Sequence, residues 1–255
     1  MTTTRTNGSL YTSIQNNIAS VEFGHPASNS FPTELLDRLT NEFDRLSAND
    51  EVNVIVLKSE GERAFCAGAS FDELVAITNL AEGKAFFSGF ANVINAMRRC
   101  SKPIIGRVQG KAVGGGVGLI SACDYALATV DAAVKLSELT IGIGPFVIAP
   151  AVERKIGVAG LAELTLAGHE WRNAYWAKDK GLYAKVFDTI KELDAEVALL
   201  AEKLASYNAE ALTEMKKVLW KNTDHWEGLL IQCAEISGRL VLSEATKKAL
   251  AKFKK

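Results

Sequence analysis

The chain has 255 residues, of which 48% are hydrophobic, and its 29 basic and 30 acidic side chains leave a formal net charge of −1. This balance provides no basic field for nucleic acid or an anionic membrane, and no apolar run reaches the roughly 18 residues of a membrane span. The sequence therefore predicts a soluble protein, long enough for one large domain or for one domain with a helical appendage.

Cysteine usage and the N-terminal composition bear on the compartment. Cys66, Cys100, Cys123 and Cys233 show no CxxC spacing and lie in predicted strands or helices, so we expect reduced core residues. The Thr-rich residues 1–10 have neither the apolar stretch of a secretory signal nor the Arg-rich face of a transit peptide. We expect a frayed tail there and a cytoplasmic protein.

The first predicted elements are a strand or hairpin, a helix and a buried strand. Apolar residues alternate over residues 11–23, which indicates a strand or hairpin. From Thr33 to Asn49 the apolar positions follow helical spacing. Residues 52–57 then form the short apolar run that is typical of a buried strand.

The order of a helix followed by a buried strand then recurs. A predicted helix over residues 83–99 leads into a strand over 103–108, and a glycine-rich helix over 117–123 leads into a strand over 125–128. This alternation favours parallel strands that are joined by helical crossovers.

After Pro150 the pattern becomes mostly helical. Helices are predicted over residues 152–168, 173–180, 191–207, 209–221 and 229–242, with one further strand over 182–187. The last helices carry apolar stripes, namely Leu199, Leu200 and Leu204, then Leu212, Met215, Val218 and Leu219. These stripes either cover another subunit or close their own domain, and the pattern alone leaves both open.

The first segment with chemical potential is Ala67-Gly68-Ala69, which we place in a turn that enters a helix. The start of a helix presents backbone N–H groups without acceptors, and such donors can stabilise a developing negative charge. Asp72 and Glu73 fall in the first turn of the predicted helix, and we expect them to serve only in capping.

A second such segment contains the consecutive glycines Gly114, Gly115 and Gly116. Glycine lets the backbone approach a ligand closely. The spacing matches neither GxxxxGK[ST] nor GxGxxG, which argues against nucleotide phosphates and dinucleotides. Tight packing of a helix on a sheet is the other explanation for such a triplet.

Glu138 is the candidate acid or base. It lies in residues 134–139, which are apolar enough to predict a strand, and a Gly-Ile-Gly-Pro-Phe bend follows at 142–146. An apolar surround should raise the pKa of this carboxyl towards the range that is useful for proton transfer. Taken alone, a salt-bridged or capping glutamate remains the other interpretation.

In this order, the three segments resemble those of the enoyl-CoA hydratase/isomerase, or crotonase, superfamily, and the resemblance covers nearly the whole chain. Residues 64–69, Ala-Phe-Cys-Ala-Gly-Ala, resemble its first oxyanion segment, and residues 102–116 resemble its second. Leu136-Ser137-Glu138 with the bend resembles its catalytic strand. The nearest resemblance is to single-glutamate members of the methylglutaconyl-CoA hydratase type.

The resemblance implies an α/β fold, the ClpP/crotonase spiral of β-β-α repeats. The spiral core would cover residues 1–190, and a C-terminal helical region over 191–255 would form homotrimers or hexamers. The N–H groups of Ala69 and Gly115 would make the oxyanion hole, with Glu138 as the acid/base residue. The implied substrate-binding residues are His25, Ala67, Gly68, Ser70, Phe71, Gly114, Gly118, Leu139, Pro145 and Phe146.

The chain also departs from the family pattern. Two-glutamate hydratases of the family carry a glutamate that helps to hold water where this chain has Gly118, so a single carboxylate must suffice. Ser70 replaces the usual aspartate, which should weaken helix capping slightly. Residues 249–255 offer an aromatic residue and lysines for a contact with a neighbour's CoA, although in a different spacing.

The resemblance therefore implies an enzyme that hydrates a 2-enoyl-CoA thioester with a short or branched acyl group, methylglutaconyl-CoA among the candidates. Its rival is a Δ3,Δ2-enoyl-CoA isomerase, and the alternative of another class is a non-catalytic acyl-CoA or RNA-binding protein. No cofactor is expected, because the substrate itself carries coenzyme A. No metal site is expected either, because His25, His169 and His225 lack ligand spacing.

Overall fold

The computed structural model describes residues 7–252 and has a mixed α/β architecture with two sheets. The strands are Ser9–Gln15 (β1), Ile18–Gly24 (β2), Val54–Ser59 (β3), Ala64–Cys66 (β4), Ile104–Val108 (β5), Lys111–Val113 (β6), Tyr125–Thr129 (β7), Val134–Lys135 (β8) and Lys185–Phe187 (β9). The helices are Thr33–Ser47 (α1), Phe71–Ala76 (α2), Leu80–Arg99 (α3), Gly115–Ala122 (α4), Ala149–Leu166 (α5), Ala174–Asp179 (α6), Ile190–Ala205 (α7), Ala209–Leu219 (α8), Trp226–Leu240 (α9) and Glu244–Ala251 (α10). Within residues 7–252, none of these helices has the length and apolar character needed to cross a bilayer.

The N-terminal hairpin pairs β1 with β2 in antiparallel register, from Ser9 opposite Gly24 to Gln15 opposite Ile18. Its two turn residues are asparagines with φ values of 52° and 62°, as a two-residue hairpin turn requires. The hairpin prediction is confirmed. The expected frayed tail is wrong for positions 9 and 10, which pair in β1, and residues 1–6 lie outside the described part of the chain.

The two sheets are built together by a repeating β-β-α unit. The large sheet has the order β1-β2-β3-β5-β7-β9 and the small sheet β4-β6-β8, and all pairs except β1 with β2 are parallel. The first unit places both β1 and β2 in the large sheet; in each turn after α1, one strand joins the large sheet, the next joins the small sheet, and a helix leads back. This arrangement confirms the predicted parallel strands, helical crossovers and spiral.

The C-terminal helix α7 covers the protein's own large sheet. Its residues Leu193, Val197 and Ala201 form one buried cluster with sheet residues such as Ile105 and Leu127. The stripe residues Leu200 and Leu204 pack against this cluster, whereas Leu199 is exposed. The stripe of α7 therefore mainly closes its own domain.

Helix α8 is anchored by a buried ion pair. Lys216 Nζ lies 2.6 Å from Asp124 Oδ2, and Trp220 Nε1 donates to Asp124 Oδ1 at 2.7 Å. On the same helix the side chains of Met215, Val218 and Leu219 are exposed. An apolar exposed face is consistent with an assembly interface. Oligomerisation and the division at residues 190 and 191 stay predictions.

Helix α10 was absent from the pattern-based prediction. Ser243 caps it, because its Oγ accepts a hydrogen bond from Thr246 N at 3.2 Å. Thr246 Oγ1 donates to Gly142 O at 2.9 Å, which joins α10 to the bend after Glu138. The predicted contact of residues 249–255 with a neighbour's CoA falls partly on residues 253–255, which lie outside the described chain.

Candidate active site

The three predicted site segments each follow one strand of the small sheet. Cys66 of β4 pairs with Ala112 of β6, and Ala112 pairs with Val134 of β8. Because neighbouring parallel strands end at the same edge of a sheet, residues 67–70, 114–116 and 136–138 come together there. The topology thus brings together the segments that the sequence singled out.

The first segment leaves one backbone donor without an acceptor. Gly68 O accepts a hydrogen bond from Phe31 N, and Ser70 N donates to Phe31 O, both at 2.8 Å. Between them, the Ala69 N–H has no acceptor within residues 7–252. Ser70 Oγ accepts from Glu73 N at 3.3 Å and so caps α2 itself. The free N–H of Ala69 is a candidate oxyanion donor.

The Glu73 side chain of α2 makes its capping contact at the start of another helix. Its Oε2 accepts hydrogen bonds from Thr33 N at 2.9 Å and from Thr33 Oγ1 at 2.6 Å. The carboxylate therefore caps the start of α1, so Glu73 has the expected capping role, but at a helix other than its own. This contact arises from the tertiary structure, because Thr33 and Glu73 are 40 residues apart in the sequence. Asp72 is exposed in the first turn of α2.

The second segment requires glycine at consecutive positions. Gly114 has φ 53° and ψ −119°, a conformation that L side chains rarely adopt, and a Cβ there would lie 2.8 Å from Glu138 Oε1. A Cβ on Gly115 would lie 2.3 Å from the Phe90 ring. The Gly115 N–H, at the start of α4, has no acceptor in the described chain. The triplet therefore keeps a second backbone donor close to the carboxylate.

Strand β8 ends at Lys135, and Glu138 begins a 3₁₀ turn, Glu138–Ile141. The prediction that Glu138 lies in a strand is therefore wrong. The turn closes through Thr140 N donating to Ser137 O at 3.0 Å, and left-handed Gly142 ends it. This turn bends the chain back over the end of the small sheet.

The Glu138 carboxyl is poised for proton transfer. Its Oε2 is buried and has no hydrogen-bond partner within residues 7–252. Burial raises the pKa of Glu138 from its usual 4.5 to about 7, because the surroundings solvate the charged form poorly. Both protonation states are therefore accessible near neutral pH, as a group that takes and returns a proton requires.

One cavity of about 410 Å³ joins these groups. Ala69, Gly115 and Glu138 all line it, together with the predicted substrate-binding residues Ala67, Gly68, Phe71, Gly114 and Pro145. The rest of its wall is mostly apolar, and its volume falls within the range of small-molecule sites.

Five of the predicted substrate-binding residues lie off this wall. Phe146 was expected to be an acyl-pocket residue, but its ring instead packs over Gly144 and does not line the cavity. Leu139 is 46% exposed, and Ser70 is the buried cap of α2. His25 follows the end of β2, where its Nδ1 accepts from Ala27 N at 3.2 Å. Substrate contacts of His25, Ser70 and Leu139 stay predictions.

Gly118, the fifth residue, lies beneath the wall. A Cβ there would lie 2.4 Å from Ile148 Cγ2 and 3.7 Å from Ile94 Cδ1. Ile148 itself lines the cavity, so its side chain blocks the space that a glutamate at position 118 would enter. The single-carboxylate character of the site is therefore fixed by packing as well as by the missing residue.

Sequence reasoning missed the aromatic wall. Phe86, Phe87 and Phe90 of α3 line the cavity, as do the aliphatic residues Leu74, Ile141, Ile143, Val147 and Ile148. The only sequence signal was helical spacing between these phenylalanines, and a core stripe has the same spacing.

The raised pKa leads to a prediction about stability. A carboxyl with a raised folded-state pKa destabilises the folded protein as pH rises from 4.5 through about 7, because the unfolded chain ionises more easily. Glu138→Gln should therefore match the wild type in unfolding free energy near pH 4.5 and exceed it by at most about 3 kcal/mol at pH 8. Urea denaturation at both pH values measures this difference.

The control is Glu196→Gln, which removes the partly exposed partner of Lys185 at the surface. This substitution should change the unfolding free energy only slightly, and the variant should gain no stability over the wild type between pH 4.5 and pH 8. A Glu138→Gln variant whose advantage did not grow with pH would contradict the buried, raised-pKa state of Glu138.

Comparisons with known proteins identify the family of this chain. Residues 13–250 match the family model described as enoyl-CoA hydratase/isomerase. A peroxisomal Delta(3,5)-Delta(2,4)-dienoyl-CoA isomerase of Arabidopsis thaliana is 30% identical over 194 residues, 70% of this chain and 68% of the relative. A probable enoyl-CoA hydratase of Bacillus subtilis is 28% identical over 238 residues, 92% of each chain.

The fold has a close counterpart among solved structures. The crystal structure of an enoyl-CoA hydratase from Bacillus halodurans superposes with a TM-score of 0.88 at 21% identity, covering 95% of this chain and 99% of that one. This likeness confirms the crotonase fold, and the family model covers nearly the whole chain. The protein therefore belongs to the enoyl-CoA hydratase/isomerase family.

Proposed function

We propose that this protein hydrates a 2-enoyl-CoA thioester, with Glu138 as the acid/base residue and the N–H groups of Ala69 and Gly115 as the oxyanion hole. The observation that carries the proposal is that these three residues line one cavity, in which the Glu138 Oε2 atom and both backbone donors lack partners among residues 7–252.

The first step would form an enolate. The thioester oxygen accepts hydrogen bonds from the two N–H groups, which polarises the conjugated double bond. The Glu138 carboxylate takes a proton from water while the water oxygen bonds to the β-carbon. The electron pair of the double bond moves towards the α-carbon and the thioester oxygen, where the two donors stabilise its charge.

The second step would return the proton. Protonated Glu138 donates to the α-carbon, the thioester carbonyl re-forms, and the carboxylate is regenerated, so that one water has been added overall. A pKa of about 7 suits a group that acts first as base and then as acid. The site thus needs only one carboxylate for both transfers.

Hydroxyl groups beside Glu138 support hydration over simple isomerisation. Ser137 and Thr140 line the same cavity, and each carries a hydroxyl. An ordered water needs two to four polar partners, and this wall offers the Ser137 hydroxyl, the carboxylate and the Thr140 Oγ1, which donates its own proton to Ser137 O at 2.7 Å. The B. subtilis hydratase, which matches along 92% of both chains, is consistent with this choice.

The second candidate is a Δ3,Δ2-enoyl-CoA isomerase. The observation in its favour is Ile148, which fills the space beside Gly118 where two-glutamate hydratases hold water with a second carboxylate. In an isomerase the Glu138 carboxylate would move a proton between two carbons without water. The isomerase of A. thaliana supports this alternative.

The test gives purified protein 2-enoyl-CoA and 3-enoyl-CoA thioesters separately. We expect the absorbance of the conjugated thioester to fall with the 2-enoyl substrate, as water adds across the double bond. Its appearance from the 3-enoyl substrate, without hydration of the 2-enoyl one, would establish the isomerase instead. If the protein bound these thioesters but turned over neither, it would be a non-catalytic acyl-CoA binder.

Further properties belong to the same proposal. The acyl group would be short or branched, and methylglutaconyl-CoA belongs in the substrate screen. The exposed face of α8, Met215, Val218 and Leu219, supports a homotrimer or hexamer. We place the protein in the cytoplasm and expect no cofactor beyond the CoA of the substrate.

A further inference from the structure

The cavity wall contains a second buried polar group that the proposed chemistry does not use. Ser237 of α9 lines the cavity, is 1% exposed, and its Oγ has no hydrogen-bond partner within residues 7–252. Glu138 Oε2 is the other such atom on this wall. A buried hydroxyl without a hydrogen-bond partner is unfavourable, so we expect the molecule that fills the cavity to provide a partner for Ser237.

Ser237 lies away from the oxyanion hole, along helix α3. The next residue, Gly238, lies where α9 packs closely on α3. A Cβ added to Gly83 of α3 would lie 2.7 Å from Gly238 O. At the other end, the Phe90 ring packs over Gly115. Seven residues of helix, about 10 Å at 1.5 Å per residue, separate Gly83 from Phe90. Ser237 is therefore placed to meet the distal part of an acyl chain.

The surroundings of Ser237 are apolar and carry no counter-charge. Phe86 and Ile143 form a buried cluster with Val241 of the same C-terminal region, and Phe87 packs against it. Among the described residues, Lys135 is the one cationic side chain on the cavity wall, and its Nζ donates to His169 O at 3.0 Å.

This environment discriminates between acyl termini. Lys135 is the last residue of β8, and its backbone O accepts a hydrogen bond from Gly114 N at 3.0 Å, so its backbone belongs to the catalytic end of the cavity. A carboxylate beside Ser237 would be buried without a cation, which costs more than burying a neutral polar group. A plain hydrocarbon terminus would leave the hydroxyl unpaired.

We propose that Ser237 is a specificity-determining residue, which hydrogen-bonds a neutral polar group, such as a hydroxyl or carbonyl, on the distal acyl chain of the substrate. This inference rests on the proposed function, because it names the acyl class that the same site takes. A hydroxyl can both donate and accept, so either kind of neutral group satisfies it. The preference should appear as a ratio of kcat/KM between matched acyl chains.

The experiment compares three six-carbon 2-enoyl-CoA thioesters, in which carbon 6 is a methyl group, carries a hydroxyl or is a carboxylate, and the matching eight-carbon set, in which carbon 8 varies in the same way. Each is tested with the 3-enoyl isomers as well, so that either reaction is detected. We expect the wild type to prefer the hydroxyl-tipped chain over the methyl-tipped one by about 10-fold in kcat/KM at one of the two lengths. Ser237→Ala should remove this preference while retaining turnover of the methyl-tipped chain.

The matched control is Ser121→Ala, at a buried serine whose Oγ donates to Val117 O at 2.8 Å and which does not line the cavity. It should keep the wild-type ratio. If Ser237→Ala changed kcat/KM by the same factor for all three chain termini, or if the wild type showed no preference at either length, the role of Ser237 would be overturned. A preference for the carboxylate-tipped chain would overturn the neutral class. Failure of every thioester to react would instead reject the proposed function.

Discussion

Replacing Glu138 with glutamine is expected to lower kcat on the best enoyl-CoA substrate by about 10³-fold. The amide keeps the size of the side chain but can no longer take a proton from water or return one to carbon. In the wild type, log(kcat/KM) should fall with unit slope as pH drops below about 7, since protonation of Glu138 removes the base. Steady-state kinetics from pH 5 to pH 9 measure both effects.

The variant must still fold and bind for this loss to be interpreted. Glu138→Gln should retain affinity for a saturated acyl-CoA, measured by calorimetry, because binding does not need the proton transfer. Glu196→Gln, which alters a partly exposed carboxylate paired with Lys185, should keep wild-type kcat. Unchanged turnover in Glu138→Gln would reject Glu138 as the acid/base residue, whatever reaction is assayed.

Gly115→Ala should lower kcat/KM by about 10²-fold through the oxyanion hole. The new Cβ would lie 2.3 Å from the Phe90 ring, which is itself buried against Phe31 with ring centroids 6.0 Å apart. Relief of this overlap must shift either the ring or the start of α4. The displaced N–H of Gly115 then no longer donates a hydrogen bond to the thioester oxygen, and losing one such donor lowers the rate by about 10²–10³-fold.

A second-site change separates this cause from general damage. Phe90→Leu removes the ring atoms that overlap, so Gly115→Ala with Phe90→Leu should recover at least about tenfold relative to Gly115→Ala alone, after correction for Phe90→Leu itself. Gly228→Ala is the control, because Gly228 lies in α9 and, among residues 7–252, no atom outside its own stretch of helix lies within 4 Å of the added Cβ. It should leave kcat/KM unchanged and stabilise the helix by about 1 kcal/mol. Wild-type kcat/KM in Gly115→Ala would exclude the assigned role of Gly115.

Local sequence patterns predicted much of the secondary structure. The hairpin, α1 and the parallel strands that follow each helix were found from apolar periodicity and turn residues, because both depend on neighbours only a few positions away. The same reasoning failed at Glu138, where an apolar run predicts a strand although β8 ends at Lys135. Chain geometry after β8 decides that turn, and periodicity does not encode it.

The candidate site shows the same division. Ala69, Gly115 and Glu138 were identified through the order of their segments, and the topology places all three on one cavity wall. By contrast, the partner of Glu73 lies at Thr33. Ser237 comes from a helix about 100 residues after Glu138 in the chain. Nothing local to either residue indicates such a contact.

The sequence by itself determined the fold class, the family resemblance and the three chemical segments, because these are written in short-range spacing and in glycine and carboxylate positions. Only the tertiary structure decided which side chains line the cavity. It replaced Phe146 with Phe86, Phe87 and Phe90 on the cavity wall and filled the space beside Gly118 with Ile148. The physical reason is that burial and the loss of hydrogen-bond partners arise from packing between distant elements, which local spacing cannot specify.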